Sequence, residues 1–133
     1  MEIKRRYTLK KEERLHGFKL IEKLFNDGKS FLVYPYKVVF MENSESSEFP
    51  FNFGVTASKR NFRSAVDRNK IKRLSREAYR KNKHILYDSS LSDVNGLSFM
   101  MIYIGREILS YDIIESKIIL ILRRLSGDDE KGI

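Results

Sequence analysis

Eleven Lys and Arg residues fall between Ser58 and Lys83, against two acids, Asp67 and Glu77. That segment of 26 residues has a net charge of +9, while the whole chain carries +8. The basicity is therefore local. At about 100° per residue, Arg68, Lys72, Arg76 and Arg80 form one i, i+4 ridge, flanked by Asn69 and Arg73. Ile71, Leu74 and Ala78 fall on the opposite side. Guanidinium groups in such a stripe suit planar, bidentate contacts to phosphate. Like charges at i, i+4 destabilise an isolated helix, so packing and bound anion must offset the repulsion. A merely solvated helix usually mixes both signs, and this one is nearly pure. A DNA recognition helix would need a paired helix before it, whereas a strand pattern precedes this one. The stripe is the electrostatic footprint of a nucleic-acid partner.

Other reactive side chains are dispersed. His16 and His84 are isolated, with no Cys nearby, and histidine catalysis requires a positioned partner. Glu42, Glu45 and Glu48 belong to a polar stretch read as a solubilising loop. The triplet Asp128, Asp129 and Glu130 sits close to the chain end. A two-metal nuclease site needs carboxylates held rigidly about 4 Å apart. No catalytic residue and no metal ligand of the protein's own is expected, which disfavours a protein-only nuclease.

The elements that must position the stripe read as α-β-β-β-α-β-α. Leu15, Phe18, Ile21, Leu24 and Phe25 recur at helical spacing from Leu9 onward, and Asn26-Asp27-Gly28 supplies a left-handed stop. Phe31 to Met41 reads as strand broken by Pro35. Tyr36, Val38 and Phe40 point one way; Lys37, Val39 and Met41 point the other. Phe51, Phe53, Val55 and Ala57 form one face of the next strand, with Asn52, Gly54 and Thr56 on the other. The polar loop between these segments suggests that they pair antiparallel. Residues 64–83 are the basic helix. Tyr87 to Gly96 is polar and irregular. Leu97 to Ile104 is an apolar run typical of a strand buried on both faces. Ser110 is expected to cap a last helix through Leu125. The fold class expected is α+β, one four-stranded sheet with three helices.

With 133 residues and 41% hydrophobic content, the chain is expected to build one core. Residues 1–8 read as a basic flexible arm, 9–125 as the domain and 126–133 as a flexible tail. No Cys is present, which excludes disulfides and thiolate metal sites and fits a cytoplasmic setting. No apolar run approaches the roughly 20 residues of a membrane span, and no apolar stretch follows the basic N-terminus as in a signal peptide.

The run Phe53-Gly54-Val55-Thr56-Ala57-Ser58-Lys59-Arg60-Asn61, then Ala65, then Arg68-Asn69-Lys70-Ile71-Lys72-Arg73-Leu74-Ser75-Arg76-Glu77-Ala78, resembles the bacterial ribonuclease P protein family. That family combines a glycine-containing strand ending in a basic turn with Arg-Asn-x-x-Lys-Arg-x-x-Arg-Glu on the next helix. Leu9-Lys10-Lys11, Phe25 to Ser30, Leu97 to Ile104 and Arg123-Arg124-Leu125 extend the likeness to roughly residues 5–125. The resemblance implies a fold similar to the second domain of a small-subunit ribosomal protein, with a left-handed βαβ crossover. It implies the small subunit of a ribonucleoprotein that removes 5′ leaders from precursor tRNA. The large RNA would hold the active site and its Mg²⁺, and the protein would bind no cofactor alone. RNA contact then falls on Lys59, Arg60, Arg68, Asn69, Lys72, Arg73 and Arg76, joined by Arg63 and Arg80 on charge alone. A cleft for the single-stranded leader falls on Phe18, Ile21, Phe25, Lys37 and Val39, facing Asn52, Gly54 and Thr56. Ile21 and Val39 depart from the aromatic residues often found at those positions, which weakens base stacking there. A structural, ribosome-associated RNA-binding protein is the other reading of the same helix.

Overall fold

The computed structural model describes residues 18–43, 51–89 and 96–127. The elements run α1 (Phe18–Asp27), β1 (Lys29–Val33), β2 (Tyr36–Asn43), β3 (Phe51–Ala57), α2 (Ala65–Asn82), α3 (His84–Tyr87), β4 (Gly96–Tyr103) and α4 (Tyr111–Ser126). The three expected helices and four strands are present, with α3 a single added turn. The expected arm at 1–8 and the residues 128–133 of the expected tail lie outside the described residues, as do His16, Glu45, Glu48 and the acidic triplet. Ser126 belongs to α4, which Gly127 terminates at φ 88°. Glu42, expected in a loop, belongs to β2 instead.

The sheet order is β1-β2-β4-β3. The antiparallel pairing expected between β2 and β3 does not occur. Instead β2 pairs antiparallel with β1 and β4, and β3 pairs parallel with β4. Alternation assigns faces to a strand but not its neighbour. The nearly all-apolar β4 takes the place between them because it alone can be covered on both sides.

Two layers of side chains result. Phe51, Phe53, Val55 and Ala57 of β3 join Tyr36, Val38, Phe99, Met101 and Tyr103 in the main core beneath α2 and α4. There Phe53 stacks on Tyr79 with ring centroids 4.1 Å apart, a contact worth roughly 0.5–1.5 kcal/mol beyond area burial. On the reverse face, Leu24 of α1 packs against Val39 and Met100. Gly28 does not adopt the left-handed conformation expected of a stop, since Gly127 is the only described residue with positive φ. Its requirement is steric: a Cβ there would lie 2.4 Å from the Leu24 carbonyl oxygen. Glycine thus lets the chain turn directly from α1 into the sheet.

Candidate nucleic-acid interface

The basic turn after β3 is held from several sides. Phe62 is buried, its ring 5.9 Å from that of Tyr103. Its backbone N–H donates to the Ser58 carbonyl at 3.0 Å. Arg60 N–H donates to Ser58 Oγ at 3.1 Å, and Asn61 Nδ2 donates to the Ile104 carbonyl at 3.0 Å. Ser64 caps α2 by accepting from the Asp67 N–H. Lys59, Arg60 and Arg63 therefore project into solvent from an ordered backbone. Such preorganisation limits the entropy that binding must overcome.

Along α2 the buried positions are Ile71, Ser75, Ala78 and Tyr79. Ser75 and Tyr79 widen the inward stripe beyond the expected Ile71, Leu74 and Ala78. Tyr36 and Ser75 share a buried hydroxyl hydrogen bond of 2.6 Å, and Tyr79 stacks on Phe53. These contacts rotate the helix, so its outward face centres on Arg73, with Asn69, Lys70 and Arg76 also exposed. The expected ridge of Arg68, Lys72, Arg76 and Arg80 is thus off-centre: Arg68, Lys72 and Arg80 are half-buried. Lys70 belongs to the exposed set and was missed, although its charge and its place on the helix were legible.

Arg68 and Arg80 are engaged within the protein. Arg68 Nη1 donates to the carbonyls of Phe62 at 2.6 Å and Arg63 at 2.9 Å. Arg80 donates twice to Glu77, at 2.9 and 2.7 Å. That bond to Arg80 holds the Glu77 carboxyl below its ordinary range. Lys81 stands 3.9 Å from the same carboxylate.

The other surface lies on the reverse of the sheet. Register aligns Thr56, Ile102 and Lys37 in one row, and Gly54, Met100 and Val39 in the next. A third row holds Asn52, Ser98 and Met41. Because α1 packs over β2, Val39 is buried, while Gly54 and Thr56 remain half-exposed and Lys37 exposed. Ile21 packs partly buried beside Leu24. Phe25 is 46% exposed, so core packing does not account for it. The Phe18 side chain lies outside the described residues. Asn52 is buried at the end of this groove. Since β3 is an edge strand, its outer residues lead from the groove directly into Ser58 and the basic turn. The two surfaces are thus contiguous.

His84 is half-buried on α3. Among the described residues no three His, Cys, Asp or Glu side chains are grouped so as to hold a metal ion. No described helix is long and apolar enough to cross a membrane.

A family model described as Ribonuclease P matches residues 9–124. A relative from Porphyromonas gingivalis, named ribonuclease P protein component, is 46% identical over 82 residues, 62% of this chain and 60% of that protein. The match thus spans about 60% of that relative's length. A relative of the same name from Chlorobium phaeobacteroides is 37% identical over 108 residues, covering 74% of this chain and 73% of that protein. The fold is similar to the solved RNase P protein of Thermotoga maritima, with TM-score 0.67 at 24% identity, covering 84% of this chain and 96% of that one. It is likewise similar to that of Staphylococcus aureus, with TM-score 0.68 at 22% identity, covering 86% and 96%.

Proposed function

This chain belongs to the ribonuclease P protein family, and from that premise we propose that it is the protein subunit of an RNA-based endoribonuclease that matures the 5′ end of tRNA. The observation that carries the reading is the joined pair of surfaces. An ordered cationic turn and helix face run into an uncovered groove along the β3 edge. Lys59, Arg60, Arg63, Lys72, Arg73 and Arg76 neutralise phosphates of the large RNA, with Asn69 as a polar partner among them. Lys70 extends that set. Arg68 holds the turn in place, and Arg80 is shared with Glu77.

The groove takes the single-stranded leader of precursor tRNA. Lys37 supplies a cation at its side, Thr56 supplies a polar group, and the exposed edge of Phe25 offers a stacking surface. Ile21 supplies apolar contact rather than an aromatic platform, and Val39 lies buried beneath α1. Base stacking on one aromatic contributes about 1–3 kcal/mol, so the leader interaction here is weaker than one with several such platforms. Bond cleavage belongs to the RNA, and Mg²⁺ accompanies that RNA rather than a protein site. The protein raises substrate affinity and screens phosphate repulsion, which matters most at low Mg²⁺.

The test is precursor tRNA cleavage at low Mg²⁺ by ribonuclease P RNA, alone and with the protein added. Rescue by the protein is expected, and an Arg60→Ala/Arg73→Ala double variant should lose it while folding normally. Tight RNA binding without rescue would favour a structural RNA-binding protein.

A further inference from the structure

A second group of cations stands at the edge of the sheet opposite the basic turn. The sheet order places β3, which leads into Lys59 and Arg60, at one edge and β1 at the other. Lys29, Phe31 and Val33 share one face of β1 by alternation, and Phe31 and Val33 pack that face against the main core. The last turn of α4 brings Arg123 and Arg124 to the same place. The Arg124 guanidinium lies over the Phe31 ring, 4.5 Å from its centroid. Phe31 is itself held edge-on by Phe40, with centroids 5.6 Å apart. Lys29 stands roughly 7 Å from Phe31 along the strand. All three cations are exposed.

The helix end that carries the arginines is ordered. The Gly127 N–H donates to the Arg123 and Arg124 carbonyls, and Ser126 Oγ donates to the Arg123 carbonyl at 2.8 Å. A guanidinium laid on a ring keeps its N–H edges available to an anion. Among the described residues no carboxylate pairs with Lys29, Arg123 or Arg124. The acids of α4, Asp112 and Glu115, fall at its other end, and Glu115 is taken by Asn82 at 2.9 Å. A helix dipole favours cations at a C-terminus, and a lysine blunts an edge strand against pairing. Each effect acts on one element, and neither gathers three cations from two elements around one ring.

We propose that Lys29, Arg123 and Arg124 form a second phosphate-binding site for the large RNA, separate from the α2 stripe. The inference rests on the subunit reading above. Cations held apart from carboxylates suit a polyanion, and their like charge disfavours a second copy pairing along the β1 edge. Arg124 covers the Phe31 ring, so the site offers no face for a base and contacts backbone rather than sequence. Placement chooses between the two RNAs. The main core lies beneath both α2 and α4 on one face of the sheet, whereas the leader groove opens on the reverse face with α1. The RNA that neutralises the α2 stripe is therefore the one within reach of α4. Contacts at both edges of a four-stranded sheet hold that RNA at two points about 14 Å or more apart, which fixes the orientation of the protein on it.

The experiment titrates ribonuclease P RNA with the full chain across a salt series, using wild type, Lys29→Ala, Arg123→Ala/Arg124→Ala and Arg123→Lys/Arg124→Lys. Each lost phosphate contact makes log K against log salt shallower by roughly 0.7–0.9. Lys29→Ala should change the slope by about that much. The double alanine variant should change it by about twice as much, with affinity at low salt down about tenfold or more. The double lysine variant keeps both charges and should keep the slope. The preference of the holoenzyme for leader-bearing over leaderless tRNA should not change. Wild-type slope and affinity in both Lys29→Ala and the double alanine variant, while wild type still rescues cleavage, would overturn this proposal alone. A changed affinity for tRNA at unchanged affinity for the large RNA would overturn it by giving the site to the substrate. A wild-type dimer that these variants dissociate would overturn it by giving the site to a second copy. If wild type neither bound the large RNA nor rescued cleavage, the subunit reading would fall with it.

Discussion

The Arg68 guanidinium donates to the Phe62 carbonyl at 2.6 Å, across the junction between the basic turn and the basic helix. With the second bond to the Arg63 carbonyl, it ties the backbone that carries Lys59, Arg60 and Arg63 onto α2. One cation of the helix thus positions three others. Arg73, one turn further along, lies exposed on the same helix.

These two arginines are expected to separate in a mutational test. Hydrogen bonds from a charged group contribute about 1.5–3 kcal/mol. Arg68→Ala should lower stability by about 1–2 kcal/mol and weaken RNA binding together, because the turn loosens. Arg73→Ala should weaken binding with unchanged melting. Urea unfolding combined with RNA titration checks both. A stable Arg68→Ala variant would show that the turn holds without it.

Glu77 restrains Arg80 through a bidentate ion pair. Glu77→Gln should release that cation toward RNA, raising affinity at low salt about two- to fivefold. Each phosphate contact adds roughly 0.7–0.9 to the slope of log K against log salt, so the slope should steepen by up to about one. Arg80→Ala should cost less affinity than Arg73→Ala. Titrations across a salt series decide the matter, and an unchanged slope in Glu77→Gln would mean that Arg80 does not reach RNA.

Burial pushes the Tyr36 phenol above its ordinary range, although its bond to Ser75 opposes the shift. In the unfolded chain a tyrosine ionises near pH 10. Its folded value is higher, so this contribution is complete below about pH 10 and is lost as pH rises through the folded value. Tyr103 is shifted the same way, also mainly by burial. Stability should therefore decline in alkali, and Tyr36→Phe should shallow the decline at a cost of about 1 kcal/mol near neutrality. Denaturant melts between pH 8 and pH 11 check it; an equally steep decline in the variant would assign the effect elsewhere.

Much of this protein was legible in the order of its residues because the relevant forces act locally. The charge density of 58–83 survives any tertiary arrangement, since a helix this cationic cannot be buried all round. Alternation in Phe51 to Ala57 assigned the core face of β3 correctly, because one polar residue on that face would face an apolar core. The apolar run at Leu97 to Ile104 marked the central strand for the same reason.

Tertiary structure alone decided the partners. Alternation does not say whether β3 pairs with β2 or β4, and only the competition for a doubly covered position put β4 between them. Helical periodicity placed Arg68 and Arg80 on the cationic ridge, but the rotation of α2 is set by Tyr36 and Phe53 from the sheet. That rotation moved the exposed centre to Arg73 and brought Arg68 within reach of two carbonyls. Charge and periodicity are properties of a segment, and the segment read alone reveals them. Strand partners, helix rotation and the stacking of Arg124 on Phe31 depend on contacts between distant segments, so they exist only once the chain has closed on itself.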